Sequence, residues 1–251
     1  MALQQEFESQ GNILFRYRSH IPLILIPFAL LVIYFSLQTQ GSWFSNESIT
    51  VLEVAATIVC MVGLLIRIYT VGHTPRNTSG RNTAEGQVAD VLNTTGIYST
   101  VRHPLYLGNF FMWLGIAFLT ANIWFVIAFV FAYWVYYERI MYAEEQFLTR
   151  KFGEKYLNWA SSTPAFVPDF SKFNGSNLSF SWKKVLKKEK NGFFAVFLVI
   201  YLLNCWVAFL TTGQYYSVKS WSIWAMIISG VLYFVLKMFK SYTKVFDEEG
   251  R

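Results

Sequence analysis

The chain has 251 residues, of which 54% are hydrophobic, 19% are aromatic and only 14% are charged. Soluble globular domains carry about 25% charged residues, so this chain has too little polar surface to cover a soluble core of its own size. The apolar content excludes a disordered chain, and the 15 glycines and two cysteines exclude a collagen-like or disulfide-rich design. Long apolar runs instead predict an all-α, polytopic membrane helix bundle.

Six apolar runs are candidate membrane spans. They are Ile21–Leu37, Thr50–Thr70, Leu107–Thr120, Ile123–Tyr137, Phe193–Leu210 and Trp221–Leu236. The third and fourth runs are short and are separated only by Ala121 and Asn122, which predicts a tight helical hairpin. The polar segment before the first run has no basic n-region and no cleavage site, so we expect no secretory signal peptide there. We expect it to form a short amphipathic helix on the membrane surface.

The basic residues are distributed unequally about these spans. With six spans, Lys219 is the only one of the 21 basic residues on the side opposite the termini. The positive-inside rule therefore predicts a multi-pass protein with both termini in the cytoplasm, in the inner membrane if the cell is bacterial. The net charge of +6 reflects basic loops that face anionic lipid rather than nucleic acid, for which no motif is present.

The same features divide the chain into four segments. Residues 1–20 form a cytoplasmic N-terminal segment, and residues 21–168 form a four-span membrane core. Residues 169–190 form a basic cytoplasmic linker, and its lysines are expected to keep this segment on the cytoplasmic side and so to fix the membrane topology. Residues 191–251 form a C-terminal extension of two spans.

Two polar stretches, Thr74–Gly108 and Glu138–Pro168, flank the short hairpin. One enters the hairpin and the other leaves it, so both must converge at one membrane edge. Pro104 suits the first turn of a helix, because its missing N–H would have no partner there. Arg102 and His103 then lie beside unpaired helix amides that favour an anion. The alternative interpretation is a capped helix start with an interfacial arginine.

The second stretch predicts that the fourth helix continues into the cytoplasm. Glu138, Tyr142 and Glu145 share one helical face, and Glu144 is turned from it by about 100°. A carboxylate on this helix that faces the first stretch can bind a ligand ammonium group or pair with Arg102. The alternative is a solvated helix with ordinary surface ion pairs.

Four short blocks in these stretches match a known family in order and spacing. They read Gly96-Ile-Tyr98, Arg102-His103-Pro104-Leu-Tyr106-Leu-Gly108, Glu144-Glu145-Gln-Phe-Leu148 and Phe152-Gly153-Glu154-Lys-Tyr156. Together they resemble the integral-membrane methyltransferases of the isoprenylcysteine carboxyl methyltransferase and phospholipid methyltransferase family. The resemblance covers roughly Gly80–Pro168.

The resemblance implies an S-adenosylmethionine methyl donor bound in a cytoplasmic pocket. The matched cofactor-binding positions are Tyr98, Arg102, His103, Pro104, Tyr106, Gly108, Glu144 and Glu145. Among them Arg102 and Glu145 are the candidate catalytic residues, and Arg102 could hold either the cofactor carboxylate or an acceptor anion. An anionic acceptor needs no strong base and benefits from a cation, whereas an amine acceptor could use a glutamate as base.

The acceptor is expected to be a lipid or a lipid-anchored molecule. The loop Arg76–Thr83 is rich in arginine, amide and hydroxyl groups, which favours a phosphate, although an ordinary juxtamembrane loop would look the same. We assign Arg76, Arg81 and Asn109 to acceptor binding. This loop and the two extra C-terminal spans lead us to expect a phosphorylated lipid head group, such as lipid A phosphate or a phospholipid, with a prenylcysteine carboxylate as the alternative.

Other classes of protein fit the sequence less well. A sterol-reductase-like enzyme that uses NADPH shares the motif around Arg102 but is disfavoured by the acidic block and the short chain. A structural or transport protein lacks an inverted repeat or a broken-helix pair. The two cysteines and three histidines have no metal-site spacing. The two extra spans are expected to line a lipid groove or to pack against the bundle, and the oligomeric state is left open.

Overall fold

The computed structural model describes residues 2–39, 46–78, 81–83, 86–214 and 221–250, so Lys219 lies outside the described residues. Helices dominate this part of the chain. They are α1 Leu3–Tyr17, α2 Leu25–Thr39, α3 Asn46–Gly72, α4 Pro104–Phe118, α5 Ile123–Phe152, α6 Glu154–Ser162, α7 Trp182–Thr212 and α8 Trp221–Tyr242. Within the described ranges, five helical segments are long and apolar enough to cross a membrane, and α4 is a shorter apolar helix. The prediction of an all-α, multi-pass membrane bundle is confirmed.

The short hairpin of α4 and α5 has the predicted form. Helix α4 has 15 residues and therefore spans about 22 Å, less than the roughly 30 Å of a hydrocarbon core. Helix α5 has 30 residues, so it extends well beyond the membrane as expected. Ala121 turns the chain with a φ of 51°. The side chain of Asn122 then caps α5 by accepting a hydrogen bond from the amide of Phe125 at 3.0 Å.

The main core lies among α2, α3, α4 and α7. Its buried members include Ile33 on α2, Cys60 on α3, Ile116 on α4 and Ile200 on α7. Cys60 and Cys205 are both free thiols, in agreement with the sequence. Because α7 supplies part of this core, the C-terminal helices pack into the bundle rather than standing beside it.

Helix α7 begins well before the apolar run that predicted it. Its N-terminus is at Trp182, and the Ser181 hydroxyl caps it by accepting from the amide of Lys184 at 3.1 Å. All five lysines of the run, from Lys183 to Lys190, therefore belong to the first turns of the helix and not to a linker. The amide of Ser181 also donates to the carbonyl of Gly72 at 2.9 Å, and Lys184 Nζ donates to the carbonyl of Thr74.

The N-terminal segment is helical, as expected. Helix α1 packs against the C-terminal half of α5, where Gly11 lies directly against the carbonyl of Arg139. Phe15 is buried in the cluster that α4 and α5 form. A small antiparallel hairpin, β1 Arg81–Thr83 and β2 Gly86–Val88, lies in the first polar stretch.

The basic ends of the helices meet at one end of the bundle. There the start of α4 contacts α5, the end of α3 contacts the start of α7, and the amide of Arg76 donates to the carbonyl of Gly250 beyond α8. At the opposite end, Asn122 donates to Ser36, and the Trp221 indole donates to Glu53 at 2.9 Å.

Candidate active site at the basic end of the bundle

The two polar stretches come together at the start of α4. The amide of Arg102 donates to the carbonyl of Pro164 at 2.9 Å, and the amide of His103 donates to that of Ala165 at 3.2 Å. Gly96, with a φ of 63°, forms a bridge to the segment that follows α6. The convergence inferred from connectivity is therefore confirmed, and it places the side chains of Arg102 and His103 beside α5.

Two acidic and three other side chains form a compact polar cluster here. His103 Nε2 lies 2.9 Å from Oε1 of Glu145, and its Nδ1 lies 3.6 Å from Oε2 of Glu144. The Tyr106 hydroxyl donates to Oε2 of Glu144 at 2.7 Å. Nε of Arg102 lies 3.2 Å from Oε1 of Glu145. We call these five residues the acidic cluster.

His103 is the cation at the centre of this cluster. Its side chain is only 5% exposed, and this burial lowers its pKa. The carboxylates of Glu144 and Glu145 outweigh burial and raise the pKa to about 8. The imidazole is therefore mainly protonated at neutral pH, and it offsets the repulsion between two neighbouring carboxylates.

A cavity of about 690 Å³ opens beside the acidic cluster. Its polar end is lined by Tyr98, Arg102, His103, Tyr106, Glu144 and Trp159. Its other end is apolar and lies deeper in the bundle, where Met112 and Ile116 of α4 face Val196 and Val199 of α7. Ligand cavities commonly have volumes of about 300–1,000 Å³, so this one can hold a small molecule together with part of a second.

Most of the expected cofactor-binding residues line this cavity. They are Tyr98, Arg102, His103, Pro104, Tyr106 and Glu144. Glu145 is not among the lining residues, and its carboxylate contacts both Arg102 and His103. Gly108 is not among them either, because it packs against Gly63 of α3.

The expected acceptor-binding residues are divided between different places. Asn109 lines the cavity. Arg76 is exposed and is not one of the lining residues, and the side chain of Arg81 lies outside the described part of the chain.

Several lining residues were not anticipated from the sequence. Arg67 of α3 and Glu189 of α7 form a bidentate ion pair on the cavity wall, with distances of 2.8 and 2.9 Å. Arg18, which follows α1, and Lys188 of α7 also line the cavity. Arg67 stands in an apolar run, and a charge within such a run is a signal of function that could have been followed. Glu189 lies within a lysine-rich run, so its sequence context did not distinguish it from an ordinary surface charge.

The described residues contain no group of three or more His, Cys, Asp or Glu side chains that could hold a metal ion.

Comparison with known proteins agrees with the motifs. A family model described as phospholipid methyltransferase matches residues 51–155. The nickel-cobalt-cadmium resistance protein NccN of Alcaligenes xylosoxydans xylosoxydans is 31% identical over 56% of this chain and 59% of that protein. The protein-S-isoprenylcysteine O-methyltransferase of Tribolium castaneum is 26% identical over 50% of this chain and 42% of that enzyme. Protein-S-isoprenylcysteine O-methyltransferase A of Arabidopsis thaliana is 31% identical over 58% of this chain and 70% of that enzyme.

No solved structure matches the chain significantly. The fold and cavity define a multi-pass membrane protein with a charged site at one end of a helix bundle. The chain belongs to the isoprenylcysteine carboxyl methyltransferase and phospholipid methyltransferase family of integral-membrane methyltransferases. Its match spans about half of the beetle enzyme's length.

Proposed function

We propose that this protein transfers a methyl group from S-adenosylmethionine to an anionic oxygen of a lipid-anchored acceptor. The observation that carries this proposal is that one continuous cavity extends from the acidic cluster to an apolar end within the bundle. A polar donor and a lipid chain need such a pair of environments side by side.

The residues at the polar end suit the donor. Glu144 is a carboxylate for its ammonium group, Arg102 is a cation for its carboxylate, and Tyr98 and Trp159 are aromatic surfaces for its adenine ring. Burial and the charge of Glu144 raise the pKa of Tyr98, so its phenol stays protonated and can donate a hydrogen bond. When bound, the donor supplies a methyl group on a positively charged sulfur.

The protein's own contribution is alignment and exclusion of water. An acceptor oxygen attacks the methyl carbon in line with the sulfur, so that the O–C bond forms as the S–C bond breaks. The sulfonium charge and the acceptor charge disappear together. An ionised acceptor has no proton to lose, so no base is required, and the main task is to hold two reactants in one geometry. Glu145 then acts through Arg102 and His103, whose side chains it positions.

We propose a prenylcysteine-type carboxylate as the acceptor. Two of the relatives described above are named protein-S-isoprenylcysteine O-methyltransferases, and the apolar end of the cavity suits an isoprenyl chain. This choice revises the sequence-based preference for a phosphorylated head group. That preference rested on the loop Arg76–Thr83 and on the two extra C-terminal spans, and Arg76 is not among the residues that line the cavity.

A phosphorylated lipid is the second candidate. It is favoured by the description of the matching family as phospholipid methyltransferase and by Lys188 on the cavity wall.

We place the site at the cytoplasmic face of the membrane. The basic ends of the helices meet at this end of the bundle, and basic residues are enriched on the cytoplasmic side of membrane proteins.

The test is a methyl-transfer assay with the full chain in lipid nanodiscs and a donor labelled in its methyl group. We expect label in N-acetyl-S-farnesylcysteine and little in phosphatidic acid. A carboxyl methyl ester releases methanol in mild alkali far more readily than a phosphate methyl ester, which identifies the product. Arg139→Gln is the control, since Arg139 pairs with Glu138 and is not a lining residue. Label in phosphatidic acid alone would favour the second candidate, and failure to bind S-adenosylhomocysteine would refute the proposal.

A further inference from the structure

Arg67 is held on the cavity wall by residues of two other helices. Its Nε donates to Oε2 of Glu189 at 2.8 Å, and its Nη2 donates to Oε1 at 2.9 Å. Its Nη1 donates to Oδ1 of Asn109 at 2.7 Å. Helices α3, α4 and α7 therefore meet at one guanidinium group.

These contacts do not use all the N–H groups of the guanidinium group. An arginine side chain has five N–H groups, and the hydrogen bonds to described residues use three of them. One N–H group remains on each terminal nitrogen, and terminal N–H groups of arginine suit the oxygens of a carboxylate or phosphate. The Arg67 side chain is 22% exposed, whereas Glu189 is only 5% exposed. The arginine, and not its partner, is the group that can receive a ligand.

The surroundings fix Arg67 in this position. Asn109 Nδ2 donates to the Tyr137 hydroxyl at 3.3 Å, which turns Oδ1 of the amide toward the arginine. The stem of Arg67 crosses Gly108, where a Cβ atom would lie 2.5 Å from Cγ of Arg67. Gly108 therefore leaves room for the arginine, although it does not itself line the cavity. A side chain there would displace the arginine.

Arg67 stands at the boundary between the two ends of the cavity. Along α4, Tyr106 is at the polar end, Asn109 follows one turn later, and Met112 and Ile116 are at the apolar end. Along α7, Glu189 likewise precedes the apolar pair. A lipid-anchored acceptor whose chain occupies the apolar end would place its anionic head at this level.

Arg102 is less suited to that task. Its Nε pairs with Glu145, and its Nη1 donates to the carbonyl of Ala160 at 3.2 Å. It belongs to the polar end, where the donor is proposed to bind.

We propose that Arg67 binds the acceptor's oxyanion through the remaining N–H groups of its terminal nitrogens, while Glu189 and Asn109 position it. The inference rests on the proposed function, because it assumes that the acceptor's chain fills the apolar end. It assigns acceptor recognition to the contact between the core and α7, and not to the loop around Arg76.

The test compares Arg67→Gln with the double variant Arg67→Gln/Glu189→Gln. The single variant leaves Glu189 as an uncompensated buried charge, which can prevent folding. The double variant removes both charges and leaves a neutral amide at each position. We expect its KM for N-acetyl-S-farnesylcysteine, or for phosphatidic acid if that is the substrate, to rise about 10- to 100-fold, as for a lost charged bidentate contact. We expect the Kd of S-adenosylhomocysteine to change less than about threefold, because the donor site keeps all its residues.

Arg139→Gln again serves as the matched loss of one arginine outside the cavity, and Arg67→Lys keeps the charge but loses the paired N–H groups. We expect Arg67→Lys to recover only part of the acceptor affinity. A double variant with wild-type KM would show that the pair is only structural and overturn the inference. Equal weakening of S-adenosylhomocysteine binding would overturn it too, by placing Arg67 in the donor site. Failure of the proposed function is distinguishable, because the wild-type protein would then methylate neither acceptor.

Discussion

His103 joins the motif around α4 to the acidic pair on α5. Two adjacent carboxylates repel each other when they are directed toward the same site, and the imidazolium between them reduces that cost. Because His103 is the residue before Pro104, the start of α4 fixes where this charge stands. The cluster is therefore built from side chains of both stretches, and the start of α4 sets the position of those from the first.

The pKa of His103 predicts how stability depends on pH. Its value of about 8 in the folded protein exceeds the usual 6.5, so the folded state binds the proton more tightly than the unfolded state does. The resulting stabilisation is fully present below about pH 6.5 and is lost as the pH rises through about 8. A shift of this size corresponds to roughly 2 kcal/mol.

Thermal unfolding in detergent, followed by tryptophan fluorescence between pH 6 and pH 9, measures this contribution. We expect the unfolding midpoint of the wild-type protein to fall across that range. The midpoint of His103→Gln should be lower at pH 6 and should change much less with pH. The idea is wrong if the two proteins lose stability in parallel, since other groups would then carry the pH dependence.

Single residues also show what the sequence could not provide. The motifs placed six of the eight expected cofactor-binding residues on the cavity wall. They could not separate Glu144 from Glu145, because the orientation of α5 depends on its packing against α4. Arg67 and Glu189 are 122 residues apart in the sequence, and no local pattern relates them. Their pairing is a consequence of the way α7 packs against α3.

At the scale of helices, α3 and α4 approach closely because glycines lie at their contact. Gly108 and Gly115 are seven residues apart, so they share one face of α4. A Cβ atom at Gly115 would meet the carbonyl of Ala56 and the thiol of Cys60. Since a backbone carbonyl cannot turn aside as a side chain can, the helices would have to separate.

Gly115→Ala is therefore expected to destabilise the protein by about 1–3 kcal/mol, as overpacking does elsewhere. The measurement is the shift in the thermal unfolding midpoint in detergent. Gly175→Ala is the control, because no atom lies within 4 Å of the position that its Cβ would take. If both variants unfold at the wild-type temperature, the two helices are not held together at this contact.

The existence of the helices followed from hydropathy, but their ends did not. The apolar run predicted that the fifth span begins at Phe193, whereas α7 begins at Trp182. A hydropathy profile ends the predicted span at a cluster of lysines, because their charges lower the mean hydropathy. A helix continues through it when its N-terminus is capped, as here by Ser181, and when the lysine stems can pack along the helix surface. The basic run therefore belongs to the helix that lines the cavity.

At the scale of the whole molecule, α7 closes the apolar end of the cavity opposite α4. Val196 and Val199 are nearly inaccessible to solvent, and they contribute both to the core and to the cavity wall. The two C-terminal helices were expected to line a lipid groove or to pack against the bundle. The position of α7 supports both roles in our proposal, because the residues that hold the bundle together are the ones a lipid chain would contact.

This arrangement leads to a prediction about chain length. A phenylalanine at Val199 would fill part of the apolar end and displace roughly two methylene groups of a bound chain, each contributing about 0.8 kcal/mol. We expect Val199→Phe to raise the KM for a farnesylated acceptor about tenfold. A geranylated acceptor, whose chain is one isoprene unit shorter, should be affected less, and the Kd of S-adenosylhomocysteine should be nearly unchanged. Val231→Phe on α8 is the control, since Val231 is 59% exposed. Equal effects on both acceptors, or an equal effect on S-adenosylhomocysteine, would mean that the chain lies elsewhere.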